Sequence, residues 1–168
     1  MYDNVLYPTD GSDGAEAALE TVRDLARTYD ATVHVLYAAK QPEIHGLSGD
    51  VPMTGGGGMS GNPEGAATGM RGDRTEDDVL RSKTETEGQK LVELVATRLD
   101  DVETRTAVEW GEPYEVILEY ADEHDVDIVV MGTHGRTGID RYLIGSVAER
   151  VIRKSDEPVL TVRANESE

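Results

Sequence analysis

Asp127-Ile128-Val129-Val130-Met131-Gly132-Thr133-His134-Gly135 is the stretch on which the reading of the fold turns. Its unbroken apolar run suits a strand buried on both faces, and such strands belong to parallel sheets covered by helices. The glycines that follow end the strand. Further along, Gly145-Ser146 opens a helix reaching about Lys154, Pro158 marks a break, and Val159-Leu160-Thr161-Val162 reads as a last strand. Towards the N-terminus, Gly111-Glu112-Pro113 starts a helix running to about His124, and Val102 to Trp110 forms a strand before it. At the start of the chain, Val5-Leu6-Tyr7 is a short strand stopping near Pro8-Thr9-Asp10-Gly11. A helix follows it, with Ala15, Ala18, Leu19, Val22, Leu25, Ala26 and Tyr29 spaced for one buried face, and Asp13 and Glu16 placed as a capping box. Thr32 to Tyr37 is the second strand, and a long polar helix over about 75–99 carries Leu91, Leu94, Val95 and Leu99 as its buried stripe. Five strands alternating with four helices predict an open parallel α/β sheet with helices on both faces.

Length and composition fit one domain spanning 1–168: 168 residues with 38% hydrophobic content support a single substantial core. The exception is 41–72, which holds ten of the 18 glycines and little apolar content, and is expected to be a flexible insertion. Composition leaves open whether it is a lid or a plain loop. No leader-like start and no apolar stretch near the roughly 18 residues of a membrane span are found, so a soluble, cytoplasmic protein is expected. Cysteine is absent, which excludes disulfides, thiolate metal sites and a cysteine nucleophile. The charge is −18, from 34 acidic and 16 basic residues, of which only Lys40, Lys83, Lys90 and Lys154 are lysines. Free nucleic acid and anionic membranes would be repelled. A carboxylate-rich, lysine-poor surface is what a halophilic protein in a high-salt cytoplasm would show, because salt screens the self-repulsion. A merely acidic mesophilic protein is the alternative.

In open parallel sheets the ligand crevice lies beyond the carboxyl ends of the strands, where successive crossovers go to opposite sides. With the first strand central, those ends are Pro8-Thr9-Asp10 and Gly132-Thr133-His134-Gly135. Anions favour helix N-termini. The first helix is fronted by Asp10 and Asp13, which would repel a phosphate, whereas the fourth begins at Gly145-Ser146. Residues 132–154 hold Arg136, Arg141, Arg150, Arg153 and Lys154 against Asp140 and Glu149, a local +3 in a chain of −18. Arg150, Arg153 and Lys154 are explained by the helix dipole, and Ser146 with Glu149 also fits a capping box. Arg136 and Arg141 have no such local explanation.

The segment Gly132-x-x-Gly135, nine intervening residues, then Gly145-Ser146 resembles the nucleotide-binding signature of the universal stress protein family. The resemblance extends to Val5-Leu6-Tyr7-Pro8-Thr9-Asp10-Gly11-Ser12, to Gly132-Thr133-His134-Gly135-Arg136-Thr137-Gly138, and to Pro158-Val159-Leu160-Thr161-Val162. It implies an ATP-binding Rossmann-like fold with strand order 3-2-1-4-5, usually dimeric and acting in stress response. Carried over by position, Asp10 together with Pro8 and Thr9 lies near the ribose and adenine, and Ala38 supplies an adenine backbone contact. Met131 and Gly132 line the ribose side, and Gly135, Gly145, Ser146 and Val147 hold the phosphates. His134 and Arg136 are the further candidates in the binding loop. The insertion after the second strand is longer and looser than the family's usual connection.

Other chemistry finds little support. No Walker-type loop is present, and the four histidines show no metal-ligand spacing. His34 and His124 read as structural or solvated. Mg²⁺ or Mn²⁺ is expected only as an ion carried by a bound nucleotide. Two functions follow: a dimeric, nucleotide-dependent regulator or binding module, or a slow ATP phosphohydrolase using His134 or Asp140. No catalytic residue is assigned, and the natural ligand is ATP, AMP or another adenine nucleotide. The last strand, Val159 to Val162, lies at a sheet edge whose unpaired backbone groups invite an antiparallel homodimer.

Overall fold

The computed structural model describes residues 1–41, 76–134 and 144–164. The expectations for the insertion at 41–72 therefore lie, apart from residue 41, outside the described residues, as do those for Gly135, Arg136, Asp140 and Arg141. The element order is β1 (Asn4–Pro8), α1 (Asp13–Tyr29), β2 (Thr32–Ala39), α2 (Glu76–Arg98), β3 (Thr104–Trp110), α3 (Pro113–Glu123), β4 (Ile128–Gly132), α4 (Ser146–Lys154) and β5 (Val159–Val162). All neighbouring strands pair parallel, in the order β3-β2-β1-β4-β5. The reversal of direction falls between β1 and β4, as the sequence predicts.

Alternation along the strands divides the core into two layers. Val5, Tyr7, Val33 and Val35 face α1 and α2, meeting Ala18, Leu19, Val22, Val92 and Val95. Leu6, Leu36, Val129 and Met131 face α3 and α4, meeting Val116, Ile117, Tyr120, Ala148 and Val151. Tyr7 is buried, its hydroxyl donates to the Ala15 carbonyl at 2.7 Å, and burial pushes its pKa up to about 12.

Three local expectations are corrected. The cap of α1 is Ser12, not Asp13: the Ser12 hydroxyl accepts the Ala15 N–H, while Glu16 leaves the cap to pair with Arg98 at 2.5 Å. Asp10 explains this, since its carboxylate accepts the Ser12 N–H at 3.0 Å and holds Ser12 extended as the cap, so the helix begins at Asp13, one residue earlier than an Asp13 cap would place it. In α2 the buried stripe is Gly88, Val92, Val95 and Leu99, and Leu94 is 58% exposed. Its phase is set where Gly88 meets the ring of Tyr37, since a Cβ on residue 88 would come within 2.4 Å of that ring. On α1, Tyr29 is likewise exposed, its ring meeting Tyr2 edge-on.

Candidate functional site

A cavity of about 470 Å³ opens at the carboxyl edge of the sheet, at the switch between β1 and β4. Its floor is the end of β1 (Pro8, Thr9, Asp10) and the end of β4 with the residues after it (Met131 to His134). One wall is the start of α4, Gly145 to Ala148; the other is the end of β2, with Ala38 and Lys40, and Thr84 of α2. Of the residues singled out in the sequence, Pro8, Thr9, Asp10, Ala38, Met131, Gly132, His134, Gly145, Ser146 and Val147 all line this one cavity. Gly135 and Arg136 lie outside the described residues.

Backbone contacts draw the floor together. The Thr9 N–H donates to the Leu36 carbonyl, the Thr133 N–H to the Val162 carbonyl, and the Gly145 N–H to the Thr133 carbonyl at 2.7 Å. Gly14 and Gly132 permit the closest approach: a Cβ on Gly132 would stand 2.2 Å from the Gly14 carbonyl oxygen, and one on Gly14 would stand 1.9 Å from that of His134. The N-terminus of α1 therefore rests directly on the end of β4, a contact the sequence reading did not anticipate.

The two ring nitrogens of His134 differ. Nδ1 lies 2.8 Å from the Thr133 hydroxyl, whereas Nε2 is buried with no hydrogen-bond partner among the described residues. A buried polar atom without a partner is costly and calls for one. Among the described residues Asp10 is the one carboxylate lining the cavity, and one of its oxygens is engaged by the Ser12 N–H. At α4 the capping box expected of Ser146 and Glu149 is not formed. The N-cap is Gly145, no side chain caps the helix, and Glu149 pairs with Arg153 at 2.9 Å. Ser146 is the first helical residue, so its hydroxyl is not the cap. The dipole role given to the α4 cations is also incomplete, since the charged ends of Arg150 and Lys154 lie 5.0 and 4.9 Å from the centre of the Tyr114 ring.

The wall residues Ala15, Leu36, Tyr37, Lys40, Thr84, Pro113, Ile117 and Ala148 were missed in the sequence, whereas Thr133 lies in the strand end it placed at the crevice. Most are apolar or sit at core spacing and carry no chemical signal. Lys40, the cation ending β2, was the exception that composition flagged without placing; it lies 3.8 Å from Glu112. Among the described residues no group of three or more His, Cys, Asp or Glu is placed to hold a metal ion, and no helix is long and apolar enough to cross a membrane.

A sequence model of the universal stress protein family matches residues 1–163. The chain is 32% identical to universal stress protein MJ0577 of Methanocaldococcus jannaschii over 99% of this chain and 98% of that one. The solved structure of MJ0577 superposes with a TM-score of 0.76 at 30% identity, covering 99% of both chains. Two more distant structures share the fold. One is a universal stress protein in complex with cAMP (TM-score 0.59, 21% identity, 98% of both chains). The other is a family protein from Arabidopsis thaliana with AMP bound (TM-score 0.62, 17% identity, 98% of this chain and 93% of that one).

Proposed function

The chain belongs to the universal stress protein family, and from that premise we propose a cytoplasmic, ATP-binding member that works as a dimeric, nucleotide-dependent regulator or binding module in stress response. It would act as one domain over 1–168. The observation that carries the reading is the open start of α4: an N-terminus without a side-chain cap forms one wall of the cavity, beside the partnerless Nε2 of His134. Both are donors suited to phosphate when the Thr133 hydroxyl donates to Nδ1 and leaves the proton on Nε2. These groups fit a polyphosphate, and the cAMP and AMP complexes of relatives support the adenine nucleotide.

With the phosphates at α4, Gly145, Ser146 and Val147 hold them, joined by Gly135 and Arg136 of the preceding sequence. Asp10 then faces the ribose hydroxyls, and Ala38 the base. Mg²⁺ or Mn²⁺ would ride on the phosphates rather than on a protein cage. Calorimetric titration with ATP and with adenosine tests the orientation. Asp10→Asn, which keeps the acceptor for Ser12, should weaken both ligands by a similar factor; loss confined to ATP would reverse the orientation.

Slow ATP hydrolysis is the second reading, favoured by the same free Nε2 of His134 at the phosphate end. His134→Gln should abolish phosphate release; a parent that releases none removes this reading, and release that survives the substitution takes the role from His134. The dimer contact is assigned to β5, whose free edge carries Leu160 at 38% exposure and whose Val162 carbonyl reaches the cavity floor through Thr133. Light scattering should find a dimer that Leu160→Pro or Val162→Lys weakens; a monomeric parent would place the reading in error. Adaptation to a high-salt cytoplasm would show as a thermal midpoint rising steadily into molar KCl.

A further inference from the structure

The base end of the cavity contains a polar side chain that the α4 reading leaves unused. Thr84 lies on α2, one helical turn before Gly88, and lines the cavity beside Tyr37, Ala38 and Lys40. Its hydroxyl already donates to the Leu80 carbonyl at 3.0 Å. A hydroxyl has one proton and two acceptor lone pairs, so with its proton committed Thr84 offers the cavity acceptor capacity alone.

The position of this acceptor is fixed on both sides along α2. One turn later, Gly88 sits so close to Tyr37 that no side chain fits between helix and strand. Just before it, the Arg81 guanidinium lies 5.0 Å from the centre of the Trp110 ring at the end of β3. These contacts place the helix backbone that carries Thr84, although its hydroxyl can still rotate, and a placed backbone is the condition for discrimination rather than mere contact.

We propose that Thr84 determines nucleobase specificity, accepting a hydrogen bond from the exocyclic amino group of adenine and disfavouring a purine with a carbonyl at that position. This deepens the adenine-nucleotide reading and rests on it. A carbonyl oxygen facing Thr84 would set acceptor against acceptor unless the hydroxyl rotated and gave up Leu80. That escape is available at the cost of one ordinary hydrogen bond, so the discrimination should be moderate, on the order of tenfold.

The test compares ATP with inosine triphosphate, which differs at that position, by calorimetry on the full chain and on Thr84→Val and Thr84→Ser. The parent should prefer ATP. Thr84→Val, nearly isosteric but without an acceptor, should cut the ATP-to-ITP affinity ratio by roughly five- to tenfold, chiefly through weaker ATP binding, and Thr84→Ser should retain most of it. A valine ratio within about twofold of the parent's overturns the proposal. So does a parent that binds both nucleotides equally, which would leave the nucleotide site standing. A parent that binds neither removes the adenine-nucleotide reading together with the proposal, and the outcomes are thereby separated. Because Thr84 is only half-buried, all three proteins should fold, and matching thermal midpoints check it.

Discussion

Helices α1 and α4 begin at the same edge of the sheet, α1 just past β1 and α4 within reach of the end of β4, yet their N-termini are finished in opposite ways. At α1 the free N–H groups are used internally: Ser12 caps the helix, Asp13 and Glu16 add negative charge in the first turn, and Gly14 rests on the His134 carbonyl. At α4 the N-cap is Gly145, with no side-chain bond, and the helix start faces the cavity. A helix start attracts negative charge; α1 has a side-chain cap and two acidic residues in its first turn, whereas α4 has only Glu149 there, and Arg153 holds that carboxylate. The lesson is that an anion site is marked less by a helix N-terminus than by the absence of the chain's usual ways of satisfying it.

The sharpest way to break this contrast is a pair of glycine substitutions. Gly14→Ala must move backbone, because the new Cβ would lie 1.9 Å from the His134 oxygen. We expect a loss of about 3 kcal/mol, seen as a thermal midpoint lower by roughly 10 °C. Gly145 has φ −58° and ψ 150°, dihedrals that any residue adopts, so Gly145→Val should leave the midpoint nearly unchanged. It should instead block a phosphate from the backbone, weakening ATP by about 10- to 100-fold through lost charge-assisted bonds. If Gly145→Val lowered the midpoint as far as Gly14→Ala and kept full ATP affinity, the start of α4 would be as structural as that of α1.

A milder pair uses the serines. Ser12→Ala removes a real cap and should cost about 1 kcal/mol of stability, with ATP affinity kept. Ser146→Ala removes a hydroxyl that caps nothing, so its stability cost should stay within about 0.5 kcal/mol while affinity falls by up to about tenfold. Equal stability losses in chemical denaturation would show that Ser146 is a hidden cap.

What the sequence shows and what it conceals follow the same division. The start of α4 and the ends of β1 and β4 were legible because glycines, a hydroxyl and a reversal of charge cluster within a few residues of one another. The order of the strands was not legible in the residues themselves, which give element order and not neighbours; it came from the resemblance to the family, and the crevice at β1 and β4 rested on it. Ser12 was passed over because Asp13 and Glu16 match a capping pattern, and the signal against them was the carboxylate of Asp10 two residues before Ser12. Along α2 the stripe was read correctly at Val95 and Leu99 and wrongly at Leu94, while Gly88 was overlooked because it adds nothing to an apolar stripe; its role lies in what a side chain there would strike, the ring of Tyr37. Thr84 was hidden for a related reason, being a threonine on a polar helix, brought to the cavity only by that packing.

Any acid titration of nucleotide binding at the α4 end must be separated from acid loss of the fold itself, which the opposite edge of the sheet should produce. There His34 is buried, with Nδ1 3.1 Å from the Tyr120 hydroxyl and Nε2 3.3 Å from Asn4 Oδ1. The Asn4 amide nitrogen donates to the Asp125 carbonyl, which turns Oδ1 towards His34. The proton therefore sits on Nε2, and Nδ1 accepts from Tyr120. Burial lowers the His34 pKa, helped by the nearby charges of Arg105 and His124. The His124 ring stacks on Tyr120, 3.9 Å away. Burial also raises the Tyr120 hydroxyl, and Glu109 adds to this, so that hydroxyl keeps its proton. Because the folded pKa of His34 lies below its unfolded value near 6.5, the unfolded chain binds the proton first. The contribution is whole above that pH and declines as pH falls through it towards the folded pKa. Denaturant unfolding at constant salt between pH 8 and 5 should show this as a shallow loss of stability. His34→Gln, which can still accept from Tyr120 and donate to Asn4, should flatten the His34 part of the slope. A slope unchanged in that variant would assign the acid sensitivity to other groups.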